Sequence, residues 1–334
     1  MSKYFHLFSC CIPVRGFHKA VICDLQRNII QPIPLPLYEM LSQDGVNQEI
    51  NTVEDVIQKY GLKDKQLIEE YLTFLYHNQF GYTTDSPASS AHIDLTKSEV
   101  ANIITNAIVD YDASSSHSLK TIAPQLDVLN CLALELRYYY SVSSAKLEEE
   151  LKTLNDTSIK TLEVVVEYSS DYELEKILKL KDSFSFLRKV TISNSSENTV
   201  FHRDNLTIIY THDQIRDEKC CGVTNEFYCI AETKLFIESV HFNSCLNKKI
   251  AVDKQGFIRN CPSMSNHFGH ISVKSLFEAL QDEEFIKVWE INKDKIEVCS
   301  DCELRYVCQD CRAYISDQNN LFSKPIKCKY DPYE

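Results

Sequence analysis

The stretch Cys299-Ser-Asp-Cys302-Glu-Leu-Arg-Tyr-Val-Cys308-Gln-Asp-Cys311-Arg-Ala-Tyr314, closed by Cys328, constrains this chain more than any other. Upstream, Cys245-Leu-Asn-Lys-Lys-Ile-Ala-Val-Asp-Lys-Gln-Gly256-Phe-Ile-Arg-Asn-Cys261 carries a short apolar run that turns at Gly256 and returns a second cysteine towards the first. Thiolates are soft ligands for iron–sulfur clusters or zinc, and a C-x2-C turn aims two sulfurs at one centre. Unrelated core thiols would not repeat such spacing among polar residues. Spacing alone leaves zinc and iron–sulfur open.

The order of these features, a cysteine, a strand, Val-Asp-x-x-Gly, four residues and Cys261, then a helical spacer, C-x2-C-x5-C and two more cysteines, resembles the SPASM domain. The spacer, Phe268-Gly-His-Ile271 before Leu276, Leu280, Phe285 and Trp289, is similar to that family's linker, as is Cys311-Arg-Ala. SPASM domains follow radical S-adenosylmethionine enzymes that modify peptides. The resemblance covers residues 235–334 and implies one or two [4Fe-4S] clusters, with Cys299, Cys302, Cys308 and Cys328 on one and Cys245, Cys261 and Cys311 on the other. Two departures stand out. Only Gln309 and Asp310 separate Cys308 from Cys311, where the family commonly has three residues, and the Cys245 group lacks an evident fourth thiol; Cys229, His241 or an open position are the candidates.

The 334 residues suffice for two or three domains. A net charge of -13 disfavours a nucleic-acid partner held by phosphate neutralisation. Fourteen cysteines without a convincing signal peptide or a run long enough for a membrane span point to a reducing cytoplasm, where clustered thiols bind metal.

Residues 1–84 read as strands at 3–8, 19–24 and 28–33 followed by helices at 37–42, 53–60 and 64–77, the last with an apolar face of Ile68, Tyr71, Leu72 and Leu75. This order resembles the winged-helix-like precursor-peptide recognition domain of ribosomal-peptide maturation. The resemblance implies a leader peptide added as a strand beside Asn28, Ile29 and Ile30 and resting on Ile68 and Tyr71. Acidic residues on the last helix speak against a DNA-binding winged helix.

The polar stretch 83–91 reads as a linker. Residues 92–234 then alternate strands and helices: strands at 103–111, 132–140, 161–168, 189–194 and 206–210, with helices at 118–130, 145–154 and 172–184 between the first four. That alternation implies a parallel α/β sheet with right-handed crossovers. Leu147, Leu151 and Leu154 mark one helix face.

Such units before a SPASM domain look like the partial β/α barrel of radical S-adenosylmethionine enzymes. In that family the loop after the first barrel strand carries C-x3-C-x2-C. Here the loop reads Asp112-Ala-Ser-Ser-Ser-His117-Ser-Leu119, and no C-x3-C-x2-C occurs in the chain. The barrel therefore reads as degenerate, with no S-adenosylmethionine site and no route to a radical. Recognition-like front, cysteine-free barrel and SPASM tail together resemble the SPASM-domain peptide maturases of grasp-with-spasm systems. That resemblance implies a ribosomally made precursor peptide and an ATP-grasp ligase as partners. Whether the chain is itself an enzyme stays open. The alternative is a non-catalytic adaptor with a structural zinc or iron–sulfur tail.

Overall fold

A computed structural model of the protein describes residues 4–41, 49–50, 65–85, 102–222, 224 and 226–334. The helix expected at 53–60 and residues 86–91 of the expected linker lie outside these. The front of the chain holds β1 (Tyr4–Leu7), β2 (Cys11–Arg15), β3 (Ala20–Asp24), β4 (Ile29–Ile33), α1 (Leu35–Leu41), β5 (Glu49–Ile50), α2 (Lys65–His77) and β6 (Gly81–Thr84). These build two three-stranded sheets, ordered β5-β1-β6 and β2-β3-β4. Strand β2 was not expected from the sequence: Pro13 sits in it, and a proline interrupts the usual strand signal although an edge strand tolerates it.

Strand β3 is buried along its whole length because both faces of its sheet are covered. Cys11, Ala20, Ile22 and Ile33 face Leu37, Ile68 and Leu75 of the two helices. Val14, Val21 and Cys23 face Phe236 and Val307 near the C-terminal cysteines. The front sheet is therefore packed against the thiol-rich region.

The centre comprises β7 (Asn106–Tyr111), α3 (Leu119–Val128), β8 (Ala133–Tyr138), α4 (Ser144–Lys152), β9 (Thr161–Glu167), α5 (Leu174–Ser183), β10 (Leu187–Ser193), β11 (Thr199–Arg203) and β12 (Leu206–Tyr210). Beyond it come α6 (Thr233–His241), β13 (Lys249–Val252), β14 (Ile258–Arg259), α7 (Leu276–Leu280) and α8 (Glu283–Lys287). The result is an α/β fold around one eight-stranded sheet, ordered β11-β12-β10-β9-β8-β7-β13-β14. Strands β7, β8, β9, β10 and β12 run parallel, and β13 joins β7 in parallel too. Only the outermost pairings, β11 with β12 and β14 with β13, are antiparallel. The exposed strand β11 also went unread in the sequence, since it lacks the apolar alternation that marks a half-buried strand.

Helix starts follow local chemistry. Ser118 and Ser143 cap α3 and α4 by accepting from the backbone N–H of Lys120 and Lys146. Leu147, Leu151 and Leu154 then enter the main core, each contributing about 2 kcal/mol by burial. The same core takes Val109, Tyr111, Leu134, Leu136, Tyr138, Val164, Val166, Ile250 and Val252 from the strands.

The opposite sheet face, reached by the two-residue period of strands, sets charged side chains beside the buried Ile108, Val165 and Ala251. Asp110 of β7 stands in register with Arg137 of β8. Arg137 donates two hydrogen bonds to Glu135, at 2.9 and 2.8 Å. The Tyr139 hydroxyl donates to Asp110 Oδ2 at 2.8 Å. Burial pushes the Asp110 carboxyl up to about 7, against the pull of Arg137 and Tyr139 and with smaller help from Glu135 and Glu218. A pKa raised in the fold stabilises the protein below the unfolded value near 4, and that contribution fades as pH rises through about 7. Asp110→Asn keeps an acceptor for Tyr139 without the charge. The variant is expected to be more stable than the parent at pH 8 by up to about 4 kcal/mol and nearly equal at pH 4, which urea unfolding at the two pH values measures.

Among the described residues no helix is long and apolar enough to cross a membrane.

Candidate metal centre

Nine cysteines converge on two pockets. The first is lined by Cys229, Cys299, Cys302, Cys308 and Cys328, with Lys293, Arg305, Lys324 and Tyr330, around about 400 Å³ of space. The C-x2-C turn closes when Cys302 N–H donates to Cys299 O at 3.0 Å, after Val298 at φ +66°. Ile230 N–H donates to Val307 O at 2.9 Å, which lays Cys229 beside Cys308. Ile326 N–H donates to Tyr314 O at 2.9 Å and, with the bridge of Ile315 to Pro325, returns Cys328 to the same space.

The second pocket is lined by Cys221, Cys245, Cys261 and Cys311, with Thr224, Ser263 and Tyr314, around about 530 Å³. Its hairpin explains the Val-Asp-x-x-Gly run. Asp253 Oδ1 accepts from the N–H groups of Gln255 and Phe257, each at 2.9 Å, and Arg259 grips its other oxygen. Gly256 completes the turn at φ +88°, a conformation that L side chains resist. Lys327 Nζ donates to Lys219 O and Cys221 O, holding the Cys221 segment against the pocket. Gly222, at φ +85°, allows that approach, since a Cβ there would meet the Tyr314 ring at 2.6 Å and Cys311 Sγ at 3.0 Å.

Between the pockets stands a buried polar knot. The Asp310 and Arg312 side chains are both 0% exposed and joined by two hydrogen bonds, at 2.5 and 2.7 Å. Asn243 Nδ2 donates to Asp310 Oδ2 at 2.6 Å, and Asn243 Oδ1 accepts from Cys245 N–H at 3.1 Å and Leu246 N–H at 2.9 Å. The Cys308-Gln-Asp-Cys311 step thus sends its two thiols to different pockets, because Asp310 turns inward between them.

Burial raises several of these thiols, Cys302 and Cys261 to about 12 and Cys299 to about 11. Cys308 is the exception: a hydrogen bond from Cys229, aided by Lys293, brings it down to about 6 despite burial. The first pocket thus holds one thiol favoured as thiolate beside the raised Cys229, Cys299 and Cys302.

The spacing of the sulfurs can be set against what each metal takes. A single zinc held by thiolates at about 2.3 Å requires sulfurs about 3.8 Å apart. Among the described residues, the one trio of Cys, His, Asp or Glu ligand atoms all within 4.8 Å of one another is Cys10, Cys11 and Asp24. No three thiols of either pocket meet that limit. A four-iron cluster takes one thiolate at each of four separate irons and so suits a wider, all-sulfur ring. The residues present fit a cluster in each pocket. The Cys10 trio is a poor cation site, because both Asp24 oxygens are already engaged by the Arg27 guanidinium and by the backbone N–H groups of Gln26 and Arg27.

All seven cysteines expected as ligands line the pockets, in the two groups expected. The fourth thiol at the second pocket is Cys221, which sequence reasoning missed. Cys229 lies instead with Cys308 in the first, and His241 is not among the residues lining the second. The available signal was three thiols, Cys220, Cys221 and Cys229, in an irregular polar segment just before α6.

The expected peptide groove is divided. Ile68 and Tyr71 pack into the cluster that holds Ile33 of β4. Ile30 packs on the opposite face, beside Phe236 and Val307, so it cannot share a groove with them. Asn28 supplies the φ +57° turn into β4, and Ile29 is exposed. The outer edge of β4 has no strand partner among the described residues.

No family model matches the chain, and no curated protein matches it.

Proposed function

We propose that this chain is the iron–sulfur, peptide-binding component of a ribosomal-peptide maturation system, working beside an ATP-grasp ligase in the cytoplasm. In this reading residues 235–334 form a SPASM domain, the parallel sheet is a partial β/α barrel without radical-forming equipment, and the front of the chain is a winged-helix-like recognition domain. The observation that carries it is the sorting of nine thiols into two all-sulfur pockets, spaced too widely for one ion in each. Bound there with four thiolates each, [4Fe-4S] clusters would supply electron transfer. Residues Cys299, Cys302, Cys308 and Cys328, with Cys229 in reserve, would hold one. Cys221, Cys245, Cys261 and Cys311 would hold the other. The free edge of β4 offers the precursor peptide backbone hydrogen bonds, as strand addition requires.

Anaerobic reconstitution followed by iron and sulfide counting and electron paramagnetic resonance tests the proposal. About eight irons and eight sulfides per chain are expected for two clusters. Zinc without iron after anaerobic purification would remove it.

The adaptor reading gains from one observation. The loop after β7, where radical enzymes hold their cluster, is occupied by its own hydrogen bonds. Asp112 Oδ1 accepts from Ser114, Ser115 Oγ donates to Lys254 O, and His117 stacks on Tyr111 at 4.7 Å while bonding Asp110 O at 3.0 Å. That imidazole is committed to the fold.

A further inference from the structure

Each thiol pocket has one lysine turned inward onto a cysteine. Lys293 Nζ donates to Cys308 Sγ at 3.1 Å, and Lys249 Nζ donates to Cys245 Sγ at 3.3 Å. Lys293 is 5% exposed, in the short turn Lys293–Lys295. Lys249 opens β13, where its register with Asn106 of β7 fixes its backbone and its neighbour Ile250 occupies the main core. Among the described residues neither lysine lies within 4.0 Å of a carboxylate, unlike Lys254 with Glu218 or Lys189 with Glu163. Carboxylates act on them only at longer range, Asp310 on Lys293 and Glu135 on Lys249. An ammonium withdrawn from water needs an anion, and the groups in contact are ligand sulfurs. The arrangement recurs in two pockets built from different elements, so it is not an accident of one loop.

We propose that Lys293 and Lys249 set the reduction potentials of the two clusters, each favouring the electron-rich form of its own cluster through a fixed positive charge held against one ligand sulfur. The inference rests on the iron–sulfur reading above and deepens it, since a cluster with a raised potential accepts electrons readily. Outer groups that hydrogen-bond ligand sulfurs are among the principal controls on such potentials. Reduction adds one electron, drawn in the test from dithionite, and no bond breaks. The two lysines would then make the tail an electron acceptor with two separately adjusted stations.

The test compares wild type, K293M and K249M, each reconstituted anaerobically, by iron and sulfide content and by dithionite titration followed by electron paramagnetic resonance. Methionine matches the lysine stem without the charge. Iron is expected to stay at the wild-type level. In each variant one signal should become harder to reduce, its reduced-to-oxidised ratio at fixed poise falling about tenfold, or about 59 mV for one electron, with the other signal unmoved. Retained iron with unmoved potentials overturns the inference. If a methionine variant fails to hold iron, K293R or K249R decides: recovery of iron at the wild-type potential supports a role for the charge, and failure to recover both overturns it. Wild type without iron would instead remove the iron–sulfur reading itself.

Discussion

Replacing Cys302 by serine is expected to remove one cluster, about four irons per chain, while the second pocket keeps its own. Cys302 closes the C-x2-C turn of the first pocket; beside it Glu303 accepts from the Tyr330 hydroxyl and Leu304 packs into the cluster of Val14, Phe236 and Val307. Metal ligation in small loop-rich domains supplies on the order of 10 kcal/mol, so losing a whole cluster should lower the melting temperature well beyond an ordinary surface change. Iron counting and thermal unfolding under anaerobic conditions measure both effects. Unchanged iron would show that Cys302 is no ligand, and loss of all iron would show that the pockets do not load independently. With a precursor peptide and its ligase, the same variant separates the two functional readings: full product from a folded chain lacking the cluster supports the adaptor, and lost product supports cluster chemistry.

The second large effect lies in the knot between the pockets. Asp310→Ala leaves the Arg312 guanidinium buried and unpaired and takes from Asn243 the carboxylate that its amide reaches. Removing one partner of a buried pair typically costs about 3–5 kcal/mol. Here the loss should also reach both pockets, because Asn243 orients Cys245 while Asp310 itself sits between Cys308 and Cys311. Urea unfolding should show the drop, and iron should fall at both sites together. A change confined to one site would mean that the knot does not link them.

Much of this architecture was legible in the sequence, for physical reasons. The parallel strands announced themselves because apolar residues recur along each, as Leu134, Leu136 and Tyr138 do in β8, and the first four are separated by helices with an apolar face, as in Leu147, Leu151 and Leu154. The seven C-terminal cysteines that line the pockets were legible because they stand at the close, regular spacing that marks them out in sequence. Cys221 was not legible, and Cys229, expected as a candidate for the Cys245 group, lies in the other pocket, since both reach the pockets through irregular chain held by long-range bonds, such as Lys327 to Cys221 O and Ile230 to Val307 O. Strand β2 was masked by Pro13, and the facing of Ile30 depends on α6, two hundred residues distant in the chain. The Asp310–Arg312 knot gave no signal beyond two ordinary charges in a polar loop.

The pairing of β13 with β7 bears on how such proteins can diversify. The hairpin that delivers Cys261 is stitched by backbone hydrogen bonds into the sheet, so the tail is no cassette to be exchanged between scaffolds at will. A transplanted tail would leave a bare strand edge on β7, open to misassembly, and would bring a hairpin with nothing to lean on. Inheritance should therefore keep the central sheet together with the tail, because the sheet is the bench on which the hairpin bearing Cys261 is mounted.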